Sequence, residues 1–150
     1  MTAEEFDAWQ RWAVQDYARD DARYKDIPIE RTRADMTAFM ERELGGGVAT
    51  EGHRLRIVED AGSGDRVGYT WLARRETDAG PVCWVFHVWI DEPMRARGYG
   101  RALMAAIEVE ARDMGFERVE LYVYAANEAA RRLYRSAGYK ELGIEMAKRL

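Results

Sequence analysis

Seven consecutive residues, Arg95-Ala96-Arg97-Gly98-Tyr99-Gly100-Arg101, bring three guanidinium groups and two glycines together. Glycine lets a backbone approach a ligand with no Cβ in the way. An apolar run ends just before this loop and a helical pattern begins just after it, so the loop opens a helix. The first turn of a helix presents unpaired N–H groups and the positive end of the dipole. That combination suits a phosphate or pyrophosphate. Taken alone, the same residues also describe a plain glycine turn edged by solvated arginines. Neither common phosphate motif fits. The mononucleotide loop needs Lys and then Ser or Thr after its second glycine, where this chain has Arg101-Ala102. The dinucleotide fingerprint needs a third glycine where Leu103 stands. A second pair, Asn127 and Tyr134, is seven residues apart. On a helix these two share one face at a separation of roughly 10 Å, an amide early and a phenol two turns later. By itself Tyr134 also reads as a core aromatic beside Leu133.

The surrounding pattern supplies the elements that must position these groups. Thr2-Ala3-Glu4-Glu5 has the form of a capping box. Phe6, Trp9, Ala13 and Tyr17 follow at helical spacing, which predicts a helix to about residue 24. Pro28 suits the first turn of a second helix, with Ile29, Met36, Met40 and Leu44 on one face and Gly45-Gly46-Gly47 at its end. The period then changes to two. Strands are predicted over 53–60, 66–76 and 82–90, separated by glycine-bearing turns, as an antiparallel meander. The third is apolar on both faces, as a central strand would be. After the 91–100 loop comes a helix with Leu103, Ala106, Ile107 and Met114 as its buried stripe, closed by Gly115. A strand over 119–124 should return parallel through a right-handed crossover. A short helix over 127–137 ends at Gly138, and 139–150 is expected to form one strand bent at Gly143. This is an α/β (α+β) arrangement in a single domain over 1–150.

At the glycine loop the sequence resembles the GCN5-related N-acetyltransferases (GNAT family). The loop fits their signature of arginine or glutamine, two residues, glycine, one residue, glycine or alanine. Trp89-Ile90-Asp91-Glu92-Pro93 precedes it in the register of the family's strand and exit, and Arg101-Ala102-Leu103-Met104 looks like the helix that follows. The stretch from Asn127 to Gly138-Tyr139 resembles the family's second signature. The resemblance runs from about Arg54 to the C-terminus and is vague over the first 50 residues. It implies a GNAT-type mixed sheet with helices on both faces. It also implies that Arg95, Ala96, Arg97, Gly98, Tyr99, Gly100 and Arg101 hold the pyrophosphate of acetyl-coenzyme A. A bulge around Val88, Trp89 and Ile90 would expose backbone N–H groups to the acyl carbonyl and pantetheine. Asn127 would contact the pantetheine, and the Tyr134 hydroxyl would protonate the leaving thiolate. The family usually begins with a strand before the first helix. Here Thr2 already caps the helix, and a missing sheet edge invites pairing with another chain, so a homodimer is one expectation.

The implied reaction is attack of an amine on a thioester. An alkylammonium has a pKa near ~10, so a base must take its proton. Family members often use a glutamate on the central strand or on the strand after the crossover. Around those positions this chain offers His87 and Glu120. An imidazole titrates near neutral pH; a hydrogen-bonded strand histidine and a water chain to bulk are the competing readings. The expected function is an acetyl-coenzyme-A-dependent N-acetyltransferase acting on a small-molecule or peptide amine. The alternatives are a non-catalytic acyl-coenzyme A sensor of the same fold and a nucleotide-phosphate binder.

Composition narrows the classes further. The chain has 150 residues, of which 47% are hydrophobic and 33% charged, with a formal net charge of −4. That balance argues against a nucleic-acid binder. The single cysteine, Cys83, forbids an internal disulfide and a multi-cysteine zinc site, and no metal is expected. His53 lacks nearby ligand partners. No segment approaches the ~20 apolar residues of a membrane span, and the acidic N-terminus is unlike a signal peptide, so a cytoplasmic protein without a membrane partner is expected. The charge is uneven. Residues 94–150 hold 11 basic and 8 acidic side chains, whereas the acidic surplus lies in residues 1–93, including the first helices. A phosphate-bearing cofactor on the C-terminal portion and a cationic amine on the acidic portion fit that split.

Overall fold

The structure, a computed structural model, describes residues 1–78 and 80–148. Helix α1 spans Ala3–Lys25 and starts with the reciprocal capping box: Thr2 Oγ1 accepts from Glu5 N, and Glu5 Oε2 accepts from Thr2 N at 2.6 Å. Helix α2 spans Ile29–Leu44. Thr32 is buried within this pair and donates to Ala18 O at 3.1 Å and to Ile29 O at 2.9 Å, so its hydroxyl is satisfied where the two helices meet. Strands β1 (His53–Glu59), β2 (Arg66–Thr77) and β3 (Gly80–Ile90) form the antiparallel meander. Helix α3 (Tyr99–Asp113) crosses over to β4 (Val119–Leu121), which pairs parallel with β3. Helix α4 (Glu128–Ser136) follows. The sheet order is β1-β2-β3-β4.

Two apolar cores lie on opposite faces of this sheet. Phe6, Trp9, Ala13 and Val14 of α1 join Met40 and Leu44 of α2 against Leu55 and Trp71. Leu103, Met104, Ile107 and Ala111 of α3 pack with Phe116 against Leu72, Cys83 and Val85, and α4 adds Leu133 and Ala137. Trp71 and Leu72 are sequence neighbours facing opposite cores, as strand alternation requires. The buried stripe of α3 therefore includes Met104 and Ala111, and Ala106 of the expected stripe is exposed.

Alternation fails once on β3, and that failure shapes the molecule. Trp71 pairs with His87 while Leu72 pairs with Val85, which leaves Phe86 as one extra residue. The result is a β-bulge. Val85 faces the α3 core, and Phe86 packs on Trp71 and Phe39 in the α1 core. His87 then also faces α1, against Trp9, Trp12 and Tyr17, while Val88 and Ile90 return to the α3 side. The bulge is thus at Phe86 and not at Val88, Trp89 and Ile90, which stay in register with Thr70, Tyr69 and Gly68.

Two further expectations are corrected. The last paired residue of β4 is Leu121, opposite Val85, so this strand is shorter than 119–124. Beyond Val85 the bulge turns β3 away, and Tyr122 and Tyr124 have no ladder to join. The 139–148 segment is not a strand, and the last two residues of the expected strand lie outside those described. Its apolar residues Leu142, Ile144 and Met146 alternate as a strand would but are 72%, 75% and 90% exposed, with no ladder partner. No helix among the described residues is long and apolar enough to cross a membrane.

At Gly68, β2 and β3 approach closely. A Cβ there would lie 2.0 Å from the Trp89 carbonyl oxygen and 3.0 Å from its carbon. Gly68→Ala must push the strands apart beside the site, and we expect a loss of about 3 kcal/mol, the upper end for overpacking, read as a lower urea midpoint at unchanged m-value. An unchanged midpoint would contradict this packing.

Candidate active site

Parallel pairing of β3 with β4 is confined to Cys83, Trp84 and Val85. From Phe86 onward the two strands diverge, and a cleft of about 870 Å³ opens between them. Residues 85–90 of β3 line one wall and residues 121–124 the other. The N-terminus of α3 and one face of α4 close one side, and α1 closes the other through Asp16, Tyr17, Arg19, Asp20, Arg23 and Tyr24.

The α3 side is built for an anion. Gly98 caps the helix with φ 90°, a conformation open to glycine, and nothing lies within 4 Å of where its Cβ would be. Ala96 sits at φ 61°, a left-handed value that costs roughly 1–2 kcal/mol for a residue with a Cβ. The first intrahelical bond runs from Ala102 N to Gly98 O, so the preceding N–H groups of the first turn have no helical acceptor. Gly100 packs against α4: a Cβ there would stand 3.1 Å from Leu133 Cδ2. Two side chains pin the loop from outside. Tyr99 Oη donates to Asp60 Oδ2 at 2.7 Å, and Arg95 Nε donates to Ile90 O at 3.0 Å with its guanidinium 4.5 Å from the Trp89 ring centroid. The Tyr99 hydroxyl and the N–H groups of Gly62 and Ser63 hold the Asp60 carboxyl below the usual range. Arg101 donates to Ser136 Oγ at 3.2 Å and joins α3 to α4.

The opposite end is a ring of phenols and carboxylates. Tyr134, on α4, has no protein partner for its hydroxyl, and burial pushes its pKa up to about 12. Tyr17 donates to Phe86 O at the bulge, and burial also raises its pKa. Tyr124 donates to Asp21, stacks on Tyr24 with centroids 4.7 Å apart, and is raised first by burial and then by that carboxylate. All three phenols therefore keep their protons at neutral pH. His87 is 7% exposed, its Nδ1 has no hydrogen-bond partner, and its Nε2 stands 3.8 Å from Asp16 Oδ2.

Of the residues singled out from sequence, Val88, Trp89, Ile90, Arg95, Ala96, Gly98, Gly100, Arg101, Asn127, Tyr134 and His87 line this one cleft. Arg97 and Tyr99 do not line it: Arg97 reaches Met94 Sδ at 3.8 Å and Tyr99 reaches Asp60. Asn127 caps α4, its Oδ1 accepting from Ala130 N at 3.2 Å, which leaves the amide N–H groups to donate. Glu120 does not reach the cleft. It lines a separate groove and pairs with Arg118 at 2.6 Å, because it still lies in the β3–β4 ladder opposite Trp84, before the strands diverge. Sequence reading missed Asp16, Tyr17, Asp20 and Tyr124 as part of the cleft. The signal was present in α1: its apolar face runs Trp9, Ala13, Tyr17, and its continuation at helical spacing reaches Asp20. Trp9 is core, and Trp12 packs between Tyr69, His87 and Trp89. Cys83 is fully buried, and burial raises its thiol to about 11. His53 accepts from Trp71 Nε1 at 2.9 Å.

Comparison with known proteins places this geometry. The model of the acetyltransferase (GNAT) family matches residues 6–139. The uncharacterized N-acetyltransferase YycN of Bacillus subtilis (strain 168) is 27% identical over 100% of this chain and 96% of its own length. The crystal structure of putative acetyltransferase YycN superposes with a TM-score of 0.91, covering 100% of this chain and 95% of that one. A mycothiol acetyltransferase of Thermobispora bispora is 38% identical over 56% of this chain and 30% of its own length. The fold is shared, at 16% identity and a TM-score of 0.58, with the aminoglycoside acetyltransferase AAC(6')-Iy in complex with a bisubstrate analogue of coenzyme A, over 82% of this chain and 80% of that one. With its glycine loop at a helix N-terminus and its sheet split beside it, the chain belongs to the GNAT acetyltransferase family and is an acetyltransferase.

Proposed function

We propose that the enzyme transfers an acetyl group from acetyl-coenzyme A to a primary amine in the cleft between β3 and β4. The observation that carries this reading is the cradle at α3: a left-handed Gly98, a strained Ala96 and unpaired N–H groups facing a cleft edged by Arg95 and Arg101. A pyrophosphate fits that cradle by charge and by the open space at Gly98. Acetyl-coenzyme A supplies the acyl group, activated as a thioester. The Asn127 amide and the backbone of β3 beyond the bulge, free of β4, are placed to orient its pantetheine arm. The acceptor nitrogen forms a bond to the carbonyl carbon as the carbon–sulfur bond breaks. His87, at the inner wall, takes the proton from the amine. The Tyr134 hydroxyl, protonated at every physiological pH, donates to the departing sulfur, which leaves as the free thiol, and the second proton shed by the acylated nitrogen restores the phenol.

Three outcomes are expected. Gly98→Glu puts a side chain and a negative charge into the cradle and should abolish coenzyme A binding by calorimetry; normal affinity would remove the pyrophosphate from this loop. Tyr134→Phe should lower kcat by about 10²-fold, the lower end for loss of a general acid, with coenzyme A affinity nearly intact. Equal kcat would remove Tyr134 from the reaction, and coenzyme A binding with no thiol release from any amine would instead support a sensor. An ultraviolet titration of wild type minus Tyr134→Phe should show one phenol ionising near pH 12, as its burial requires. A midpoint near 10 would mean an open phenol.

A further inference from the structure

The amine-receiving wall carries two carboxylates that the reaction above does not use. Asp16 and Asp20 lie one helical turn apart on α1, and both line the cleft. At this spacing their Cβ atoms are about 5–6 Å apart. Both are half-buried. The third acid of the run, Asp21, is already engaged by Lys25 at 2.8 Å and by the Tyr124 hydroxyl. Among the described residues no Lys or Arg stands within ion-pair distance of Asp16 or Asp20. Arg19 and Arg23 also line the cleft, but both are exposed, and Arg23 lies 5.2 Å from the Tyr24 ring centroid. The α1 wall therefore carries half-buried carboxylates at Asp16 and Asp20 with exposed guanidinium groups beside them. Burial first and then the Asp16 charge raise the Asp20 pKa, and the charges of Arg23 and His87 only partly offset them.

An independent feature points the same way. His87 is nine-tenths buried, aims Nε2 at Asp16 across 3.8 Å, and finds no hydrogen-bond partner for Nδ1. Separation of this kind exceeds a direct hydrogen bond and fits a donor lying between the two groups. A primary ammonium is such a donor for Asp16, and on losing a proton to His87 it becomes the nucleophile. An acceptor seated there leads along α1 towards Asp20, one turn further on.

We propose that Asp16 and Asp20 select an acceptor with two cationic nitrogens, an alkyl diamine or polyamine: the reacting nitrogen is held between Asp16 and His87 and the distal ammonium by Asp20. A four-carbon diamine spans about the distance between the two carboxylates. The inference rests on the amine-acetylation reading and deepens it by naming the acceptor class.

The test is thiol release by the full chain with acetyl-coenzyme A and three acceptors of equal carbon count: 1,4-diaminobutane, n-butylamine and 4-aminobutanoate. Expected kcat/KM for the diamine exceeds that for butylamine at least ten-fold and that for 4-aminobutanoate by more. Asp20→Asn should lower the diamine-to-butylamine ratio at least ten-fold, chiefly through KM, and Asp20→Glu should recover part of it. Coenzyme A affinity, measured alongside, reports an intact fold. Equal rates for diamine and butylamine, preference for 4-aminobutanoate, or an unchanged ratio in a folded Asp20→Asn would overturn the proposal while leaving amine acetylation standing. No release from any of the three would count against both.

Discussion

One extra residue on a central strand organises this enzyme. Phe86 has no partner on β2, so the phase of β3 slips between Val85 and His87. A slip of one residue exchanges the faces of every side chain that follows. It sends His87 and Trp89 towards α1 and Val88 and Ile90 towards α3. It also ends the β3–β4 ladder at Val85 and Leu121. The cleft exists because of that divergence, and its inner wall carries a histidine for the same reason. Tyr17 donates to the carbonyl of Phe86 itself and so ties α1 to the bulge. Trp71 and Phe86, stacked with centroids 4.3 Å apart, hold it from the other side.

Around that feature the two ends of the cleft differ in make-up. The proposed anion-holding end is made from backbone: the start of α3, a cap at Gly98 and a strained Ala96, with arginines at the rim. A Cβ-free approach and a fixed dipole need no side-chain ordering on binding. The proposed amine-holding end is made from half-buried side chains of α1, where Asp16 and Asp20 sit. Burial does different work on the phenols. It raises Tyr134, Tyr17 and Tyr124, so that each is a lasting donor to whatever develops negative charge nearby.

Most elements were legible in the sequence because their periodicity was unbroken. The capping box at Thr2, the meander strands, the glycine-closed helices and the loop of Arg95 to Arg101 all lie where pattern and turn chemistry put them. The bulge was not legible. Residues 82–90 are apolar on both faces, so a phase slip leaves no mark in an alternation that is already hidden. Everything downstream of the slip was misread with it: the position of the bulge and the length of β4. Glu120 failed because the point where β4 leaves β3 carries no mark in the sequence: it shares the strand parity of Tyr122 but still pairs with Trp84 inside the ladder. Asp16 and Asp20 were not singled out, because acidic residues on a helix carry no signal of the cleft they face. The 139–148 segment shows the converse, a clear two-residue pattern with no ladder to join.

The most direct measurement is a crystal structure of the enzyme with coenzyme A bound. The pyrophosphate should lie on the N–H groups at Gly98 to Arg101, the pantetheine should pass between β3 and β4 beyond Phe86, and the sulfur should sit within hydrogen-bond reach of the Tyr134 hydroxyl, with His87 and Asp16 on the far side of it. Coenzyme A lying in the groove beside Glu120 and residues 139–145, or a β3–β4 ladder closed past Val85, would contradict it.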